Sequence, residues 1–212
     1  MLKSTRQQYH QQIARVLEER FPETTETQPE LLAHHYAEAG LTEQAIPYWH
    51  RAGERAAQRS AYVEAIGHLT KGLEVIETLP DTPERAQQEL TLQIALAGSL
   101  MAIKGYAAPE VGKACARARE LCRRVGETPQ LFSVLGGLAA FYIIRGELRT
   151  GRELVEQFLR LAQSVQDPAL LQMAHYAGRS LVRSRRVDRV LGTPGTSDCP
   201  LRSSEAPCPS HP

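Results

Sequence analysis

Leu32, Ala33, Tyr36, Gly40, Ala45, Trp49 and Ala52 set a pattern that the rest of the chain has to satisfy. Apolar and small residues recur at helical spacing on both sides of Gly40, and a glycine readily takes the left-handed conformation that ends a helix. The spacing predicts two facing helices that touch through small side chains and turn at Gly40. Tyr36 and Trp49 then fall at inner positions, as packing residues rather than as a ligand cage. The pattern does not stop there. Ala45, Trp49 and Ala52 recur twenty residues later as Ala65, Leu69 and Gly72, which places the second helix between two neighbours.

The surrounding sequence extends the same reading. Tyr9, Ile13, Val16 and Leu17 form one stripe of a first helix, from about Lys3 to Arg20, that Phe21-Pro22 ends. Glu23 to Thr27 reads as a polar loop. Thr27 and Glu30 have the spacing of a capping box. Thr42 reads as the next cap, with Leu41 and Ile46 as a hydrophobic staple. A helix over Tyr62–Leu79 leads to the turn Pro80-Asp81-Thr82-Pro83. The following helix presents Leu90, Ile94, Ala97, Gly98 and Met101, and the next presents Val111, Ala114, Ala118 and Leu121. Leu131, Leu135, Leu138, Ala139 and Tyr142 lead to a turn at Gly146. A helix carrying Leu154, Val155, Phe158, Leu159 and Ala162 comes next. Asp167-Pro168 repeats Thr128-Pro129 at an offset of thirty-nine, and Ala174, Ala177, Gly178 and Leu181 repeat the helix before. The expected architecture is all-α: a right-handed helical solenoid of about nine helices over residues 1–191. A disordered tail rich in Pro and Ser is expected over 192–212. Arg185 stands where the repeat asks for a turn glycine, which marks the chain as a fragment or as leaving the array there.

Composition narrows the function. A formal net charge of +1 over 212 residues argues against a dedicated nucleic-acid binder. The longest apolar run, Leu131 to Ile144, is too short to span a bilayer. Cys115 and Cys122, seven apart on one helix, lie about 10.5 Å apart along its axis, beyond disulfide reach. With Cys199 and Cys208 in the tail, the four cysteines match neither a disulfide framework nor a zinc spacing. Reduced thiols and a cytoplasmic setting are expected.

Residues Tyr9 to about Gln172 resemble the tetratricopeptide region of bacterial STAND-type signalling ATPases, including those fused to adenylate or guanylate cyclase or to LuxR-like domains. The segments that carry the resemblance are "YHQQIARVLEERFPE", "ELLAHHYAEAGLTEQAIPYWHRAGERA", "EAIGHLTKGLEVIETLP" and "ARARELCRRVGETPQLF". The resemblance implies a sensor and partner surface that follows a nucleotide-binding module. That module and any cyclase domain are missing from this chain, so their activities do not transfer to it.

Candidate chemistry is sparse. Gly105 to Lys113 has six residues between its glycines where a phosphate loop has four, and Ala114 stands where the hydroxyl belongs. His34, His35, His50 and Glu38 do not provide a third metal ligand at fixed spacing, so no metal and no cofactor are expected. Arg179, Arg183, Arg185, Arg186 and Arg189 form a basic run without interleaved aromatics, which leaves weak nucleic-acid contact as a secondary alternative. The residues expected to line a partner groove are Glu30, His34, Glu38, His50, Glu54 and Gln58, mixed polar groups suited to a protein or peptide segment. The expected function is a non-catalytic interaction and sensing scaffold. The alternative is a piece of a nucleotide cyclase or ATP-binding regulator that shares its parent's activity.

Overall fold

Three interhelical turns in the chain share one hydrogen-bonding pattern, and they explain the twenty-residue recurrence. A computed structural model describes residues 2–125 and 130–191, with side chains for 4–125 and 130–179. At Gly40 (φ 77°), Ser60 (φ 61°) and Gly146 (φ 79°) the backbone turns left-handed. In each case the next amide reaches back five residues: Leu41 N–H to Tyr36 O, Ala61 to Ala56 and Glu147 to Tyr142, all at 2.9 Å. This is the Schellman arrangement, which ties off orphan carbonyls and reverses the chain in two residues.

The described residues form ten α-helices and no strand. They are α1 (Leu2–Arg20), α2 (Pro22–Thr27), α3 (Pro29–Glu38), α4 (Thr42–Gln58), α5 (Tyr62–Ile76), α6 (Pro83–Lys104), α7 (Pro109–Val125), α8 (Gln130–Ile144), α9 (Leu148–Val165) and α10 (Pro168–Leu191). Each from α3 onward packs on its sequence neighbours. Further contacts join α1 to α3, α4 to α6, α6 to α8 and α8 to α10. No helix among the described residues is long and apolar enough to cross a membrane.

The extra helix is α2, where a loop is expected. Pro22 at its first position needs no amide partner. Buried Thr25 donates its hydroxyl toward the carbonyls of Leu17 and Phe21, both at 3.3 Å, and so tucks α2 against the end of α1. The capping box at Thr27 and Glu30 does not form. Thr27 donates to Glu23 O at 2.7 Å within α2, and α3 starts instead with Pro29 in its first turn. Thr42 is likewise inside α4, whose cap position is Leu41 without a side-chain bond. Leu41 and Ile46 pack against different clusters, so the staple is absent. By contrast, Thr82 Oγ1 accepts from the Arg85 amide at 3.2 Å, and Asp167 Oδ1 accepts from the Ala169 amide at 2.8 Å.

The core is continuous but has three centres. Ala14, Leu32, Ala33, Tyr36, Ala45 and Trp49 join α1, α3 and α4. Ile46, Leu69, Ile76 and Leu92 join α4, α5 and α6. The largest centre draws on α6 to α10 and includes Leu90, Val111, Ala118, Leu121, Leu138, Phe158 and Ala174. Burying one such Leu or Phe contributes about 1.5–3 kcal/mol. Ala52, Ala65 and Gly72 are buried where α4 and α5 meet, while Tyr142 is half-buried at the end of α8. Trp49 stacks on His68 of α5 (centroids 5.7 Å), with Lys71 Nζ 5.1 Å from its ring centre.

Two sequence stripes land elsewhere than expected. Gly98 is exposed, because α6 buries two sides: Leu90 and Ala97 toward one centre and Leu92 toward the other. On α1, Tyr9, Ile13 and Val16 are exposed, and the buried residue is Ala14. A stripe read at helical period shows that one face is apolar; it does not show that the face has a partner. The proposed tail, 192–212, and the Thr128-Pro129 cap lie outside the described residues, as do the side chains of Leu181 and Arg185.

Candidate functional site

The six polar residues expected to share one groove fall into two separate settings. His34 and Glu38 project from α3 toward α1. Arg6 of α1 pairs with Glu38. The His10 ring lies 6.0 Å from His34 and 5.0 Å from His35. Gln7 covers the Gly40 turn, with its amide nitrogen 3.2 Å from where a Cβ would stand. The α3 half of the expected groove therefore borders the first helix, with Glu38 paired across to it and His34 still exposed. Glu30 is half-buried in the first turn of α3. On α4, His50 and Glu54 face each other one turn apart at 3.5 Å, and Gln58 is exposed at the end of the helix.

The α1–α3 contact holds the densest polar network of the first four helices. Nδ1 of His10 lies 2.9 Å from Nδ1 of His35, so one ring donates and the other accepts. Burial, then the charges of His10 and His34, lower the affinity of His35 for a second proton. Nearby, Glu18 accepts from Tyr36 at 2.6 Å and also from Tyr48. The rings of those two tyrosines stack with centroids 5.7 Å apart. Among the described residues, no group of three His, Cys, Asp or Glu side chains has geometry for a metal ion.

The segment Gly105 to Lys113 is the end of one helix and the start of another. Gly105 (φ 79°) ends α6 by donating to Met101 O at 3.0 Å, and Pro109 opens α7. Lys104 and Glu110 bridge the loop at 2.6 Å. No strand precedes it among the described residues, so the backbone does not form the strand–loop–helix cradle that phosphate loops use.

A cleft that the sequence does not single out lies between α7, α8 and α9. Its volume is about 560 Å³, and its walls carry Arg119 and Arg123 from α7 and Arg160 from α9. Leu131 and Leu135 of α8 and Leu161 of α9 supply the apolar part. Arg119 Nη2 donates to Gln157 Oε1 at 2.7 Å, which fixes the guanidinium across the cleft. The available signal was weak. Arg119 and Arg123 are four apart on one helix face, but Arg160 reaches them only through tertiary packing. Of the C-terminal basic run, Arg179 is exposed on α10; the side chains of Arg183, Arg185, Arg186 and Arg189 lie outside those described. Cys115 is a buried thiol, and burial pushes its pKa up to about 11, away from nucleophilic use.

No family model matches the chain, and no curated protein matches it significantly.

Proposed function

We propose that the chain is a non-catalytic interaction and sensing scaffold, a right-handed tetratricopeptide-like solenoid working in the cytoplasm beside the nucleotide-binding module of a bacterial signalling ATPase. One observation carries the reading. Helix α1 docks on α3 through His10, Ala14 and Leu17, yet presents Tyr9, Ile13 and Val16 to solvent at 62%, 42% and 38% exposure. At 3.6 residues per turn, the two faces are centred about 100° apart. The stripe adjoins the α1–α3 interface without being part of it. Its occupant is a partner helix, supplied by that module, which continues the helix-on-helix packing one layer further.

The chain's surface chemistry supports holding rather than turnover. Arginines line the cleft between α7, α8 and α9, and an arginine is always protonated, so it clamps anions but does not serve as a base. The competing reading, that this chain itself cyclises or hydrolyses a nucleotide, meets a helix cap where a phosphate cradle would be. Phosphate release and cyclic nucleotide formation from Mg²⁺–ATP and Mg²⁺–GTP test the reading. The purified chain is expected to stay at the level of a protein-free blank. Turnover that co-purifies with the chain through successive columns would overturn it.

A further inference from the structure

We propose that the cleft between α7, α8 and α9 is a binding site for a small amphipathic anion, a carboxylate or phosphate monoester carried on a compact apolar body. The inference concerns α7 to α9 and stands apart from the partner-helix reading, which concerns α1.

Charge is the first argument. Among the described residues from α7 to α9, Arg117, Arg124, Arg145, Arg149 and Arg152 each sit within 4.0 Å of a carboxylate, whereas Arg119, Arg123 and Arg160 have no such pair. Two described acidic residues close in sequence, Glu120 and Glu156, are already engaged. Glu120 bonds Arg117 at 2.9 Å, and Glu156 bonds Arg152 at 2.7 Å while also feeling the charge of Arg160. Three guanidiniums thus face one cleft, and among the described residues no carboxylate lines it. The half-buried Arg119 holds its proton less tightly than an ordinary arginine, because of burial and then because of Arg123. Like charges brought together this way attract an anion, and a guanidinium fork matches carboxylate and phosphate oxygens two at a time.

Shape is the second argument. The cleft has the volume of a small-molecule site, not of a long peptide groove. Leu131, Leu135 and Leu161 offer apolar surface beside the guanidiniums. Inorganic phosphate would use only the charged side and an alcohol only the apolar side. A short-chain anion would use both.

Calorimetric titration tests this with octanoate and octyl phosphate below their micelle-forming concentrations, and with inorganic phosphate and 1-octanol as single-feature probes. At least one octyl anion is expected to bind one-to-one, at least tenfold more tightly than either single-feature probe. The preference between octanoate and octyl phosphate assigns the head group. Arg123→Gln and Arg160→Gln alter exposed side chains, so they leave the fold intact, and each is expected to weaken binding about tenfold. Leu161→Asn is expected to weaken the octyl anions while leaving inorganic phosphate unchanged. Equal affinity in wild type and both arginine variants would overturn the site. So would octanol or inorganic phosphate binding as well as the octyl anions, or no heat from any probe. None of these results bears on the α1 stripe.

Discussion

Nδ1 of His10 stands 2.9 Å from Nδ1 of His35, and the hydrogen bond between the two rings is one of the links from the first helix to the third. If both rings are charged, two donors face each other and repulsion replaces a hydrogen bond. Arg6 and Glu38 flank the pair from α1 and α3, and His34 lies within 6.0 Å of both rings. The pKa of His35 in the folded chain is lowered from the usual 6.5, first by burial. The unfolded chain therefore binds more protons just below pH 6.5, and stability falls as the pH drops through that value. Protection factors of the α1 amides, taken relative to the base-catalysed intrinsic exchange at each pH, are expected to be higher at pH 7.5 than at pH 5.5. His35→Gln should flatten the difference. Equal protection at both pH values in the wild type would remove the histidine pair as a docking contact.

Glu18 ties the other end of α1 to Tyr36 and Tyr48. The Tyr36 hydroxyl, then that of Tyr48, lowers the Glu18 pKa, so this contribution is present above pH 4.5 and is lost as the pH falls through the folded value. Burial and then Glu18 push Tyr48 up to about 12 and Tyr36 higher still. Glu18→Gln is expected to cost about 1 kcal/mol in a urea melt at pH 7. Absorbance titration of tyrosine ionisation should move to lower pH in the same variant.

Glycines divide into two classes. A Cβ at Gly53 would stand 2.5 Å from Leu69 Cγ, and one at Gly112 would stand 2.5 Å from Phe141 Cζ. Gly98 has nothing within 4 Å. Gly98→Ala should stabilise the chain by roughly 0.8–1 kcal/mol, the ordinary helical preference. Gly53→Ala and Gly112→Ala should instead destabilise by about 1–3 kcal/mol, because the facing side chains have to move. Denaturant midpoints shifting the same way in all three would contradict the close helix approach.

Glu89 of α6 receives both Nε and Nη2 of Arg117 from α7, at 2.6 and 3.0 Å, with its side chain only 10% exposed. Asp81 and Arg124 form a comparable bond in the open, at 2.7 Å. Arg117→Ala is expected to cost on the order of 2–3 kcal/mol, since it leaves a buried carboxylate unpaired. Arg124→Ala should cost much less, because water screens the exposed pair. Chemical denaturation of the two variants side by side separates them.

What was legible in the sequence was periodic. Helix positions followed from the apolar spacing, and the turns at Gly40 and Gly146 followed from glycine's tolerance of positive φ. Ser60 takes the same left-handed turn without a glycine. The recurrence of Ala45, Trp49 and Ala52 in the next helix was the trace of that turn, because two residues suffice to reverse the chain. Caps were less legible: Thr27 and Thr42 have the right chemistry, but Pro29 and Leu41 occupy the starting positions. The Arg119–Arg160 cleft was not legible, because those side chains are forty-one residues apart and meet only when α7 and α9 flank α8. The stripe on α1 was visible, while its exposure depends on which neighbouring helices are present, which no local pattern encodes.

The central claim is that Tyr9, Ile13 and Val16 are a seat for a partner helix. Its most direct test is a titration of the chain with a nucleotide-binding module of the signalling-ATPase class proposed as its partner, comparing wild type with Ile13→Glu and with Val63→Glu, a change at a separately exposed position on α5. The account predicts one-to-one binding that weakens at least tenfold in Ile13→Glu and is unchanged in Val63→Glu. No binding by the wild type, or equal binding by all three, would contradict it.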